Sequence, residues 1–508
     1  MRVLVLLLVV LSACLQPVSM SDAAVEFDAG QQVTTDASVD ASVDAGPVDS
    51  GIDIATLAPS RWPAETSLTH DLDTDLNAVL EASNLQGACA RYEAGATDEL
   101  TKLRCGKSMF FDGTFGTVGV PKHLLEFLQK YYADSYYGPG FTNFGFIADP
   151  RSTTGMPIGL APSTGKLGNI ETTAFTCAAC HFAKLPDGRY SVGAANLNLR
   201  YGGFVASMGA PISLSTNAND PKVTEQLRME LAAPVAAAKM RSGYTVEMGL
   251  LGLELLGAGS AGQLSVAEQD RFLKLQNGTL DFLTKPLIDD GVWTVSRMIS
   301  LWNLPNETQR AKAGMPHELL SFNAGVPTLS LFLQGFVVIG AGANEWPPSR
   351  LAPLEAYVRT LRAPVAFGDG LTAAQIRQGA TLFVEKGCLT CHSGPSGEGS
   401  RVFGFDEVAT DTEYAKIYNA APDAGPCCGL GGDASYVTRG VKAPRMSGSF
   451  SQTKFFHNGS IDTLEQVFCL EQRPTVNIVA QTAQGHLMTC LDLTPDEKRA
   501  LITWLKTL

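Results

Sequence analysis

The 508-residue chain is expected to be mainly α-helical, with long irregular stretches between its helices. Three observations carry that expectation. Apolar residues recur at helical spacing in several windows. Two helix-start signatures, Thr372 with Gln375 and Thr494 with Glu497, stand in the last third of the chain. Strand-like alternation of apolar and polar residues is rare.

In chain order, Arg2 is followed by the apolar run Val3 to Leu11 and then by Leu11-Ser12-Ala13-Cys14. The run is too short to cross a bilayer and reads as a secretory signal. The small residues ahead of Cys14 fit a bacterial lipobox, so residues 1–14 are expected to be a lipoprotein signal that leaves lipid on Cys14. Attachment then comes from acyl chains, at the periplasmic or cell-surface side of a bacterial membrane. The richest later apolar run, Phe332 to Gly342, is broken by Gln334 and by glycines, and is also too short to span.

Residues 15–55 are mostly Asp, Ala, Ser, Val and Gly, with the near-repeats Asp36-Ala37-Ser38-Val39 and Asp40-Ala41-Ser42-Val43. Such a segment buries too little apolar surface to offset its ordering entropy and is expected to be a disordered tether. Residues 1–53 hold eight acids and one base against a whole-chain charge of −13, so the other 455 residues carry only −6. A mildly acidic body argues against a nucleic-acid partner.

Residues 56–365 show helical spacing at Leu124, Leu125, Phe127, Leu128 and Tyr131, across 223–258 and 264–284, and from Leu354 to Leu361, with a Gly/Pro/Ser-rich loop at 138–168. Residues 366–508 form the clearest module. Its first helix runs from the Thr372 cap toward Cys388, and its last, opened by Thr494-Pro495, carries Leu501, Trp504 and Leu505 on one face. Gly379 is expected to let the last helix approach while Phe383 packs near Trp504. This arrangement resembles the crossed terminal helices of class I cytochromes c.

The 11 cysteines suit an oxidising compartment. Cys14 is assigned to lipid and four lie in the motifs Cys177-Ala178-Ala179-Cys180-His181 and Cys388-Leu389-Thr390-Cys391-His392. Of the remaining six, Cys89 with Cys105 is a plausible local disulfide, while Cys427 and Cys428 would bridge elsewhere, to Cys469 and Cys490. In C-x-x-C-H two thiols bond the vinyl groups of one haem and the adjacent histidine becomes the axial ligand of its iron. The two motifs lie 211 residues apart, far beyond the spacing of a zinc ribbon. The chain is therefore expected to carry two covalent c-type haems, in two cytochrome c-type domains, the N-terminal one (56–365) enlarged by insertions and the C-terminal one spanning 366–508. The five histidines outside the motifs, His70, His123, His317, His457 and His486, together with Met446 and Met488, are the candidates for the opposite faces of the irons.

Lys442-Ala443-Pro444, Phe455-Phe456-His457-Asn458-Gly459-Ser460 and Thr463-Leu464-Glu465 resemble the corresponding segment of bacterial dihaem cytochrome c peroxidases and their methylamine-dehydrogenase-maturing relatives. Gly485-His486, Leu493 to Lys498, Trp504 to Leu508, Leu301-Trp302-Asn303 and His317-Glu318 with Phe322-Asn323 are closer to the rubber-oxygenase-like branch. Two departures stand out. Glu471 occupies the position where the peroxidases carry an axial methionine 14 residues after the loop histidine, and no histidine lies between His181 and His317.

The resemblance implies an oxidoreductase with one electron-transfer haem and one haem open to peroxide or dioxygen, served by a redox partner protein or a small electron donor or acceptor. It carries over to His486 as second ligand of the His392 haem, with Met488 as the alternative. His457 would be a hydrogen-bonding loop residue. On the His181 haem, His317 and Glu318 are candidates for acid–base assistance or for structural roles, and no catalytic residue is assigned. Trp302 would lie between the haems, as an electron relay or as a core residue. The competing function is a non-catalytic electron-transfer cytochrome with both irons six-coordinate.

Overall fold

A computed structural model describes, with interruptions, residues 71–207, 222–230, 279–280, 296–412 and 440–508. Cys14, the tether 15–55, His70, Cys427 and Cys428 lie outside the described residues.

The N-terminal half is built on helices packed around short strands. Helix α1 (Glu99–Asp112) starts where the Asp98 side chain accepts from the Thr101 N–H, and buries Leu103, Phe110 and Phe111. Helix α2 (Lys122–Tyr132) buries Leu124, Leu125 and Leu128, the face its spacing marks out. Helix α3 (Cys177–His181) is the first C-x-x-C-H motif itself. Helix α4 (Leu329–Ala341) contains most of the apolar run Phe332–Gly342; at 13 residues it is about 20 Å long, well short of a bilayer core. Among the described residues no helix is long and apolar enough to cross a membrane. Helix α5 (Pro348–Thr360) packs along α1 and completes their shared core with Leu351, Leu354, Tyr357 and Val358.

The strands are two to four residues each. Strands β1 (Leu72–Asp73), β2 (Val120–Pro121), β3 (Leu160–Pro162), β4 (Thr172–Phe175), β5 (Phe182–Lys184) and β6 (Tyr190–Val192) form two antiparallel sheets, in orders β1-β6-β5 and β2-β4-β3. Helix α3 is strung between β4 and β5, so the first motif is held at both ends by sheet hydrogen bonds. Elements this short hold only one or two alternations, which is why the sequence shows no strand signal there. The helical expectation for 223–258 holds over residues 225–230, and the remainder of that stretch lies outside the described residues. Within 264–284 the described pair Thr279–Leu280 is not helical; it forms strand β7, paired with β8 (Ser296–Arg297).

Two buried clusters belong to the N-terminal half. One joins α1, α5, Phe182 and Trp302, with Cys177 at its margin. The other gathers Phe141, Phe144, Phe146, Tyr201 and Phe204 around α2, with Cys180 at its margin. A third consists of residues beyond 376. Residues 50–508 pack as one compact unit.

The C-terminal module is made by helices α6 (Ala373–Glu385), α7 (Met488–Leu491) and α8 (Pro495–Leu505). Both expected capping boxes form. The Gln375 N–H donates to Thr372 Oγ1 at 3.3 Å and the Thr372 N–H to Gln375 Oε1 at 2.9 Å; Thr494 and Glu497 repeat the pattern. Where α6 crosses α8, a Cβ on Gly379 would fall 2.3 Å from the Ala500 carbonyl oxygen and 2.5 Å from Trp504 Cβ. That absence of a side chain lets Phe383 and Trp504 meet with ring centroids 4.7 Å apart. Lys386 closes the crossing with a 2.6 Å ion pair to Glu497.

Gly379→Ala is expected to cost about 1–3 kcal/mol by overpacking this crossing, read as a lower urea midpoint with an unchanged m-value; an undisturbed midpoint would show that the helices do not meet this closely. Lys386, and then the Thr494 cap, hold the Glu497 carboxyl down to about 2, against an ordinary value of 4.5. A depressed carboxylate contributes stability that is complete above its ordinary value and is lost as pH falls toward the depressed one. The stability curve of Glu497→Gln should therefore be flatter than wild type between pH 4.5 and 2, and parallel to it above.

Candidate functional site

The cysteines divide into two classes. Cys89 pairs with Cys105, as the spacing suggests. Cys469 pairs with Cys490, which corrects the expectation that these two bridge to Cys427 and Cys428: helix α7, which carries Cys490, folds back onto the end of the short helix Leu464–Val467, bringing the Cα atoms to 5.1 Å. The four motif cysteines, by contrast, carry unpaired thiols. Burial pushes Cys177 and Cys180 up to about 12, Cys388 up to about 11, and Cys391 in the same direction. Four half-buried, protonated, unpaired thiols in C-x-x-C pairs, beside two true disulfides, suit thioether attachment of a prosthetic group better than redox cycling, which needs thiolates.

At the first motif the backbone is tied down from outside. Asn196, itself buried, donates from Nδ2 to the Ala179 carbonyl and from its backbone N–H to the Cys180 carbonyl, and the Gly193 N–H donates to the His181 carbonyl. Burial drives the His181 imidazole down to about 4; Arg445 acts in the same direction and the Ile299 backbone opposes it. The ring is thus neutral at physiological pH, with a buried Nδ1 that has no hydrogen-bond partner.

At the second motif a turn at Cys388–Thr390, entered through Gly387 in the left-handed region, delivers His392. His392 Nδ1 lies 2.6 Å from the Gly397 carbonyl oxygen. A carbonyl can only accept, so Nδ1 carries the proton and the lone pair is on Nε2, the tautomer a metal ligand requires. Facing it is His486, with ring centroids 6.3 Å apart and planes at 83°. The separation is one into which a metal ion held by both imidazoles would fit. Burial, then His392, then Arg473 push His486 down to about 3, so it too is an uncharged donor.

His486 adopts φ of 54°, a left-handed conformation uncommon for a residue with a side chain. It is held there on several sides. The His486 N–H donates to the Val408 carbonyl at 3.0 Å, and Thr489 Oγ1 donates to the His486 carbonyl at 2.8 Å. Arg473 donates to the carbonyls of Gln466, Val467 and Gly485, and the Cys469–Cys490 disulfide closes the loop. Neither Arg473 nor this pairing was marked by any motif, because their roles are made through backbone carbonyls and chain folding. Met488, the other candidate, is 47 % exposed at the start of α7, and Met446 is buried against Gly397 on the His392 loop. Among the described residues no second histidine faces His181 as His486 faces His392.

Other candidates have structural partners. The buried His457 has Nε2 3.4 Å from Asp411 and gives its carbonyl to the Arg297 N–H, the loop role expected of it. His123 meets the buried Glu230 at 2.7 Å. His317 is half-buried. Glu318 is occupied: its carboxylate takes Arg310 at 2.6 Å and Arg359 at 2.5 Å, and accepts the Leu329 N–H at the start of α4. A carboxylate whose oxygens are taken by two guanidiniums and a helix N-terminus is committed to a structural role.

Trp302 stands where the two halves meet. Its indole N–H donates to the Val192 carbonyl at 2.8 Å, a Cβ on Gly193 would fall 2.8 Å from its Cδ1, and one on Gly448 would fall 2.3 Å from its Cζ3. Gly193 is bonded to His181 and Gly448 belongs to the C-terminal module, whose Arg445 and Ser396 donate to the carbonyls of Trp302 and Asn303.

No family model matches the chain, and no curated protein matches it. Among solved structures, the chain is similar to one described as Kuenenia stuttgartiensis hydrazine synthase pressurized with 20 bar xenon, at 18 % identity over 42 % of this chain and 73 % of that one, with a TM-score of 0.24. A likeness of that extent defines neither the fold nor the function.

Glu318→Ala would leave two guanidiniums and a helix start without their anion. It is expected to cost about 3 kcal/mol, measured by chemical denaturation. A loss below about 1 kcal/mol would mean that solvent takes over the arginines and the clamp is dispensable.

Proposed function

We propose that the chain is an exported dihaem c-type cytochrome with haems on Cys177/Cys180/His181 and Cys388/Cys391/His392, acting as an oxidoreductase of the kind its peroxidase-like and oxygenase-like sequence features suggest. The observation that carries the reading is the 6.3 Å separation of two neutral, half-buried imidazoles, His392 and His486. Among the described residues no three His, Cys, Asp or Glu side chains converge as a metal site. That pattern suits a haem, whose porphyrin supplies four of the six donors and leaves two to the protein.

When bound, a c-type haem supplies a one-electron redox iron at each motif. On this reading His392 and His486 would hold the second haem's iron, which would suit it to electron transfer. His392 keeps its donor tautomer through Gly397, and His486 keeps its place through Arg473 and the Cys469–Cys490 disulfide. His181 would hold the first haem, which would supply the iron for chemistry on peroxide or dioxygen. Trp302, packed against Gly193 and Gly448, would be the side chain between the two motifs. The two disulfides support an oxidising compartment. Lipid on Cys14, a flexible tether over 15–55 and a redox partner protein or small electron donor or acceptor complete the proposal.

The intact protein should carry two haems by mass, one low-spin and one able to take up cyanide or carbon monoxide, by electron paramagnetic resonance and optical titration. His486→Ala should convert the low-spin haem to a high-spin, ligand-accepting one while both thioether attachments remain. Two low-spin haems inert to cyanide and carbon monoxide would establish a purely electron-carrying protein; a protein without haem would overturn the reading.

A further inference from the structure

Where the two halves meet, three cationic side chains are buried: Lys442 and Arg445, which act on each other, and Arg297 on the adjoining stretch, at 6 %, 9 % and 3 % exposure. Arg445 donates from Nε to the Trp302 carbonyl at 3.1 Å and from Nη2 to the Ser300 carbonyl at 2.6 Å. Arg297 donates from Nε to the Phe456 carbonyl and from Nη1 to Gln452 Oε1, both at 2.9 Å, and its guanidinium lies 5.3 Å from the Phe322 ring centre. Lys442 donates from its backbone N–H to the Phe322 carbonyl at 2.7 Å, and Nζ reaches only the Ala443 carbonyl, at 3.4 Å. Phe322 thus joins Arg297 to Lys442, and the stretch 296–303 joins Arg297 to Arg445.

These partners are neutral oxygens. They satisfy N–H groups but do not balance charge, and a buried charge without a counter-charge is strongly disfavoured. The acids acting on the group are few. Glu318 contributes to Arg445 but is committed to Arg310 and Arg359. Glu398, 1 % exposed, accepts the Ser396 N–H through Oε2 and has a buried Oε1 with no partner. Burial pushes its carboxyl up against the pull of Lys442 and Arg445, so one carboxylate is shared between two cations. For Arg297 burial drives its guanidinium down to about 10, and among the described residues no acid acts on it. The cations also reach the motif histidines from the same place, Arg445 acting on His181 and Lys442 on His392.

We infer that Arg297, Lys442 and Arg445 form an anion-binding seam that receives haem propionates from the two C-x-x-C-H modules. This rests on the two-haem reading above. The anion required must be buried, must lie beside both motifs and must match planar guanidinium forks; a carboxylate carried on the haem edge meets all three conditions. The three residues are positioning residues: they fix how each haem edge is turned and raise the potentials of both irons, since a nearby cation disfavours the ferric charge.

The test uses the full haem-loaded protein, with haem number checked by mass. Arg297→Gln, Lys442→Gln and Arg445→Gln should each lower the midpoint potential of at least one haem by an amount equal to a tenfold change in the oxidised-to-reduced ratio, 59 mV for one electron. The haem propionate bending band in the resonance Raman spectrum should move in parallel. Arg297→Lys and Lys442→Arg keep the charge, guard against loss of folding, and should restore most of the potential. Haem-replete variants with unchanged potentials and an unmoved propionate band would overturn the seam. So would lowered potentials with an unmoved band, which would assign the site to a free anion such as phosphate. A wild-type protein lacking haem would instead remove the two-haem reading on which the seam rests.

Discussion

The C-terminal module depends on keeping two uncharged imidazoles apart. His392 and His486 face each other edge to face with ring centroids 6.3 Å apart, and their separation is set by the elements that carry them. On one side the α6–α8 crossing, with Gly379, Phe383 and Trp504 at its centre, positions the Cys388 turn and hence His392. On the other, Arg473, the Val408 carbonyl and the Cys469–Cys490 disulfide hold His486 in a left-handed backbone conformation that it would not adopt unaided. Packing, backbone hydrogen bonds and a covalent crosslink serve a single distance.

The two motifs receive different support. Cys388 to His392 sits on a turn at the end of a long capped helix, with a second imidazole opposite. Cys177 to His181 sits on one short helix strung between strands, beside a dense group of aromatic rings, including Phe146 and Phe204 at 4.8 Å. The difference between the halves thus lies in the shells around two identical pentapeptide patterns.

Sequence revealed what is local. The capping boxes at Thr372 and Thr494, the buried face of α2, the close approach at Gly379 and the Phe383–Trp504 contact are each set by a few residues at fixed spacing, and each forms. What was hidden depends on distant chain segments. The strands beside the first motif are too short to show a period. The Cys469–Cys490 pairing follows from how a loop returns, and Arg473 acts through carbonyls that every residue has. Glu318 looked like chemistry beside His317 because the two arginines that occupy it are 8 residues upstream and 41 downstream.

Trp302 also governs how the chain can be taken apart. Its six-membered ring rests on Gly448 of one half and its pyrrole edge on Gly193 of the other, while Arg445 and Ser396 bind the carbonyls on either side of it. A cut near residue 365, attractive because the last third reads as a self-contained cytochrome module, would strip a glycine-lined notch and a buried arginine of what fills them. The excised piece would present a sticky, positively charged scar beside one of its own cysteine motifs. Dissection into halves would therefore change the object being dissected, and each half is best studied in the intact chain with the other motif disabled.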